Sequence, residues 1–354
     1  MSLITLFYRS IYTITGYKSS GRKGAQTKDE EVLVMEKVSG QKRKSRLRGW
    51  VFWPPFLVLL MVLILGFVSQ DAFLKVVNGV KDWIWGNFKW LFSGYGLAAV
   101  GVCFYACFSK FGNTVIGGKD AKPILGKFNW FAISLCTTIA AGLMFWAAAE
   151  PLYLMSDPSP FFDIEPNSPQ AAVFAMAQMY LHWGITPYAI YALAATVFAF
   201  TYYNMKKPFS LGACISPLLG ERVTKGRLAD IIDALCIFIL CAGMSGSLST
   251  GAFSVAGGIS NITGIPTNGI MLIIVMAAII LVYTISASSG IMKGIKWLSS
   301  FNVYIFSFLI LFIFLFGPTK FILNFGVESV GELMDSFFMR NLFTDSMNLG
   351  NSSW

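Results

Sequence analysis

Long apolar runs divided by short polar or basic connectors set the pattern of this chain. Hydrocarbon about 30 Å thick is crossed by a helix of roughly 20 residues. Runs 51–68, 90–108, 130–153, 171–203, 234–256, 270–289 and 297–317 meet that description. Lipid offers no partner for an open N–H or C=O, so each run is predicted to be helical. The expected architecture is an all-α integral membrane protein in three parts: a basic cytoplasmic tail over 1–49, seven spans within 50–318, and an extracytoplasmic segment over 319–354. In the last, Val327–Phe343 has helical amphipathicity and is expected to lie along the surface or cap the bundle.

Composition narrows the class further. A hydrophobic fraction of 55%, a charged fraction of 13% and a mean hydropathy of +0.63 exclude an ordinary soluble domain. The net charge of +9 would suit nucleic acid, but its distribution argues against that partner. Eleven Lys and Arg precede Val51, and the alternate connectors 109–127, 206–230 and 291–296 add four, five and two. The other side keeps five, so the ratio of 22 to 5 places the N-terminus in the cytoplasm and the chain in the cell membrane as a multi-pass protein. The tail is an orientation signal, with anionic lipid as a further candidate partner at about 1 kcal/mol per basic residue near the surface. The six cysteines, scattered through spans and one connector, imply neither a disulfide framework nor a metal site. No phosphate loop, zinc motif or nucleophile elbow is present, which argues against an ATP-driven pump or a membrane enzyme.

Candidate chemistry concentrates between Phe128 and Asn204, a stretch without Lys or Arg. Trp183, Tyr188 and Tyr191 fall on one side of a helix, beside Pro187, which is expected to kink the fourth span. A quaternary ammonium donates no conventional hydrogen bond, so ring faces suit it at about 0.5–2 kcal/mol per contact. The same aromatics equally suit an interfacial belt. Around Thr138–Gly142 small residues suit either close helix packing or an unwound stretch whose carbonyls face a ligand. Pro151 is expected to end the third span and leave Glu150 near the outer interface. His182, the lone histidine, is either a proton relay or a neutral ring bonded to a backbone carbonyl.

Ordered motifs over more than 200 residues resemble the betaine/choline/carnitine transporter family. They include Phe108-Ser109-Lys110-Phe111-Gly112, Gly117-Gly118-Lys119-Asp120, Phe145-Trp146-Ala147-Ala148-Ala149-Glu150-Pro151, and His182-Trp183-Gly184 with Pro187 and Tyr191. Pro217-Leu218-Leu219-Gly220, Gly264-Ile265-Pro266, Lys293-Gly294-Ile295 and Phe316-Gly317-Pro318-Thr319 continue the series. The resemblance implies a leucine-transporter-like helical bundle of twelve spans, of which this chain holds about seven, and often a homotrimer. It implies secondary transport of glycine betaine, choline or carnitine by symport or exchange, with Trp183, Tyr188 and Tyr191 forming an aromatic cage. Met144, Ala140, Ala141 and Gly142 would line the unwound stretch.

Two departures qualify that expectation. Sodium-coupled relatives carry Gly-Met-Gly-Ile-Gly where this chain has Thr138-Ile139-Ala140-Ala141-Gly142, a loss of glycines that counts against sodium coupling and resembles the sodium-independent carnitine exchangers, with exchange and sodium symport both left open. The sequence also stops at Trp354, about where the eighth span would begin, so an incomplete, non-transporting fragment is the alternative expectation. Transport of another small solute, or a non-transporting membrane role, complete the readings left open. No cofactor is expected.

Overall fold

The computed structural model describes residues 48–123, 125–139, 141–289 and 294–346, with Ala141 and Gly142 described by backbone alone. The basic tail before Arg48, Ala140, and the residues after 346 lie outside the described residues. Within them the chain is built of helices, without a strand. They run α1 Gly49–Val68, α2 Gln70–Phe108, α3 Lys127–Thr138, α4 Ala141–Ser156, α5 Pro169–Trp183, α6 Ile185–Ala199, α7 Gly226–Thr263, α8 Gly269–Ser288, α9 Lys296–Phe316 and α10 Thr319–Leu342. Six candidate spans are long and apolar enough to cross a membrane, α5 and α6 counting together, and the bent pair α3 and α4 makes seven.

Several helices differ from the sequence expectation in instructive ways. The run 90–108 is the second half of the 39-residue α2, whose first half carries the charges. Helix α4 passes through Pro151 and ends only at Ser156. A proline removes one backbone donor, and here packing of α4 against α5 and α7 maintains the helix beyond it. The fourth span does not kink at Pro187 but breaks three residues earlier, at Gly184 (φ −112°, ψ −126°). Pro187 then occupies the first turn of α6, where backbone N–H groups have no intrahelical partner to lose. The break requires glycine, because a Cβ at 184 would stand 2.1 Å from the Tyr180 carbonyl oxygen.

Small residues bring the helices together. Ala99 and Val100 of α2 bury against Ala189 of α6, and Ala252 and Ala256 of α7 bury against Val275 of α8. Ala177 and Leu181 of α5 meet Leu333 of α10. In lipid, where the solvent is as apolar as a side chain, such close approach is what dispersion needs.

Polar pairs fix one end of the bundle. Arg48, which precedes α1, donates to Asp233 of α7 at 2.8 Å and also pairs with Asp230. The hydrogen bond to Asp230, followed by that to Asp233, raises the Arg48 pKa above its ordinary value. Ser210 donates to the other Asp233 oxygen at 2.5 Å. Asn204 accepts from the Gly117 N–H at 2.8 Å and donates to the Val115 carbonyl at 3.0 Å, tying the 109–126 connector to the end of the fourth span.

Candidate functional site

Two interrupted spans lie beside each other. Helix α3 ends at Thr138, Ile139 leaves helical geometry (ψ 89°), and α4 departs at 50° to it. The second interruption is Gly184, between α5 and α6. One residue joins them: the Tyr188 hydroxyl, one turn into α6, donates to the Thr138 carbonyl oxygen at 3.3 Å. The broken ends and a ring of α6 therefore share one region, and interrupted backbone at membrane depth needs a buried or water-filled setting.

The expected cage residues occupy this region unequally. Tyr188 and Tyr191 are neighbours, with ring centroids 6.3 Å apart and planes tilted by 45°. Trp183 is not packed on either ring; its indole N–H donates to Glu150 at 2.6 Å. Tyr191 and Met144 are 68% and 55% exposed, so the cage is open on that side within the described residues. Ala141 and Gly142 open α4, immediately after the break.

A polar chain missed at the sequence level runs away from Trp183. Glu150, only 13% exposed, takes the Trp183 N–H on one oxygen and faces His182 Nδ1 with the other. His182 is therefore bonded to a carboxylate of α4, and not to a backbone carbonyl as one of its two readings had it. Its Nε2 lies 3.0 Å from the Gln178 amide nitrogen, and the Gln178 amide oxygen accepts from Arg340 of α10 at 2.9 Å. Arginine can only donate, so this contact fixes which end of the Gln178 amide is oxygen. The amide NH2 must then donate to His182 Nε2, which puts the ring proton on Nδ1, pointing at Glu150.

Arg340 is fully engaged. Its side chain is 0% exposed and also donates to Ser336 at 2.5 Å and Glu332 at 2.7 Å. The guanidinium lies 4.6 Å from the Phe174 ring centroid and 5.3 Å from that of Phe162. Burial lowers its pKa from the ordinary value, opposed by the hydrogen bond to Glu332. Nearby, Thr186 of α6 donates to Asn341 of α10 at 2.8 Å. The signal for Arg340 was present in Glu332, Ser336 and Arg340, spaced four apart on one helix face. The signal for Glu150 and His182 was one ionisable carboxylate or imidazole in each of two adjoining spans. No group of three or more metal-ligating side chains is found among the described residues.

Residues 50–354 match the family described as BCCT, betaine/carnitine/choline family transporter. The chain is 32% identical over 288 residues to the glycine betaine transporter OpuD of Bacillus subtilis, covering 81% of this chain and 55% of that one. It is 29% identical to the ectoine/hydroxyectoine transporter of Virgibacillus pantothenticus, covering 83% and 58%. It is 29% identical to the osmo-dependent choline transporter BetT2 of Acinetobacter baylyi, covering 83% and 42%. The chain spans about half the length of the curated relatives it matches.

Proposed function

This multi-pass membrane chain belongs to the betaine/carnitine/choline family of transporters, and we propose that it serves secondary transport of a quaternary ammonium compound (glycine betaine, choline or carnitine), without catalysing a reaction. The observation that carries this reading is the Tyr188–Thr138 bond between two interrupted spans. It brings ring faces of α6 and freed carbonyls at the end of α3 into one region, the two kinds of partner that a methylated ammonium can use. Trp183, Tyr188 and Tyr191 are the proposed aromatic contacts, and Met144 with the 140–142 backbone the proposed lining.

The experiment is equilibrium binding of labelled glycine betaine, choline and carnitine to the full chain in lipid vesicles. Tyr188→Ala and Trp183→Ala are each expected to weaken binding by about tenfold. Binding indifferent to both changes would sink the site. A second reading, transport of another small zwitterion, is favoured by the relative named for ectoine and hydroxyectoine. Ectoine displacing labelled betaine at comparable concentration would support it.

The same proposal includes exchange or symport in the cell membrane, with sodium coupling disfavoured by Thr138 and Ala140, which stand in place of glycines. It puts the N-terminus in the cytoplasm, supported by the Lys and Arg bias. A homotrimer and anionic lipid at the basic tail complete it. Added sodium leaving uptake unchanged is the result expected for exchange.

A further inference from the structure

We infer that Glu150 is the residue that positions the Trp183 indole and tunes its face toward a cation. The inference rests on the reading above in one respect only, that Trp183 meets a methylated ammonium. Its physical basis is independent of that reading. The Trp183 N–H donates to Glu150 at 2.6 Å, a short, charge-assisted bond. Charge-assisted bonds of this kind are roughly twice as strong as neutral ones, so the ring plane is held firmly. A carboxylate at the indole N–H also pushes electron density toward the ring face, where a cation is attracted.

The rest of the polar chain keeps Glu150 aimed. Its second oxygen is held by His182 Nδ1–H, and His182 is fixed by the Gln178 amide, whose orientation Arg340 dictates. Gln178 is 1% exposed and Arg340 4% exposed, so the orientation of the Gln178 amide is not set by bulk water. Three helices therefore converge on one carboxylate: α4 carries it, α5 supplies Trp183, His182 and Gln178, and α10 anchors the far end through Arg340. The stretch 128–204 contains no Lys or Arg, so no ammonium or guanidinium of α4 or α5 competes for the carboxylate. Glu150 acts through Trp183 as a positioning and specificity-determining residue.

The test compares choline with its neutral carbon isostere, in which a tert-butyl group replaces trimethylammonium, on the full chain in lipid vesicles. Glu150→Gln keeps the shape and an acceptor but removes the charge. It is expected to weaken choline about fivefold and to leave the isostere unchanged. Trp183→Phe removes the N–H, and the double variant is expected to bind choline no more weakly than Trp183→Phe alone. A Glu150→Gln effect equal on both ligands, or effects of the two changes that add, would reduce Glu150 to a structural tie and overturn the inference. Ultraviolet resonance Raman difference spectra, wild type minus Trp183→Phe, report the indole N–H bond without any Glu150 variant. A weakly bonded N–H there overturns the inference even if Glu150→Gln does not fold. A wild-type chain that binds neither ligand but shows a strongly bonded N–H would refute the transport reading and leave the positioning of Trp183 standing.

Discussion

Among the described residues two arginines close ion pairs, and their settings are opposite. Arg340 is shut away from solvent, with Glu332, Ser336 and Gln178 around it and two phenylalanine rings on its faces. Arg48, 55% exposed, reaches Asp230 and Asp233 at the rim of the bundle. Exposed pairs contribute about 0–1 kcal/mol because water competes for both charges and salt screens them. Removing Arg340 strips the buried Gln178 oxygen of its donor, at about 1–3 kcal/mol, while Glu332, 41% exposed, turns to water. The comparison teaches that α10 is locked to α5 by satisfied burial, whereas α1 is guided to α7 by a weaker, screened attraction.

The difference can be broken by substitution, read as unfolding free energy in mixed detergent micelles. Arg340→Ala is expected to have the largest effect, about 2–4 kcal/mol, and Arg340→Lys to restore little, because an ammonium cannot make the same fork of bonds. Gln178→Ala leaves one Arg340 donor and His182 Nε2 without their partner and is expected to cost about 1–3 kcal/mol. Asn341→Ala removes the acceptor of the Thr186 hydroxyl and is expected to cost about 0.5–1.5 kcal/mol. Arg48→Ala is expected to cost about 1 kcal/mol or less, and that small effect should vanish on raising salt from about 0.1 M to about 1 M. An Arg48 variant as damaging as the Arg340 variant, and insensitive to salt, would erase the contrast.

Much of the helical architecture was legible because lipid leaves the chain few options. Runs free of charge must be helices, and the helices found over α1, α8 and α9 begin and end close to where the hydropathy changes. Arg48 stands with Asp230, at the end of the connector 206–230, and with Asp233 just beyond it in α7, pairings that the charge count alone did not name. What escaped the sequence was pairing across distance. Glu150 was read by itself as an interfacial carboxylate and His182 as a ring on a carbonyl, although each supplies the other's partner from 32 residues away. Pro187 drew the eye as a helix breaker, while the actual break at Gly184 depends on the space beside the Tyr180 carbonyl. Helical spacing put Trp183, Tyr188 and Tyr191 on one side, but that break separates the register of Trp183 from that of the two tyrosines. Arg340 was hidden because an amphipathic pattern does not say which polar residue turns inward.

The length of α2 carries a consequence of its own. Its 39 residues extend for about 58 Å at 1.5 Å per residue, nearly twice the hydrocarbon thickness. Fitting that length by tilt alone needs about 60°, beyond the roughly 40° reached by transmembrane helices. Asp71, Lys75, Lys81, Asp82 and Lys89 all sit in the first half, and 90–108 holds no charge. The first turns must therefore stand in water as a mast on the face opposite Arg48. No joint in secondary structure separates that mast from Phe108 at the far rim, so the water-facing turns and the lipid-facing turns belong to one continuous helix.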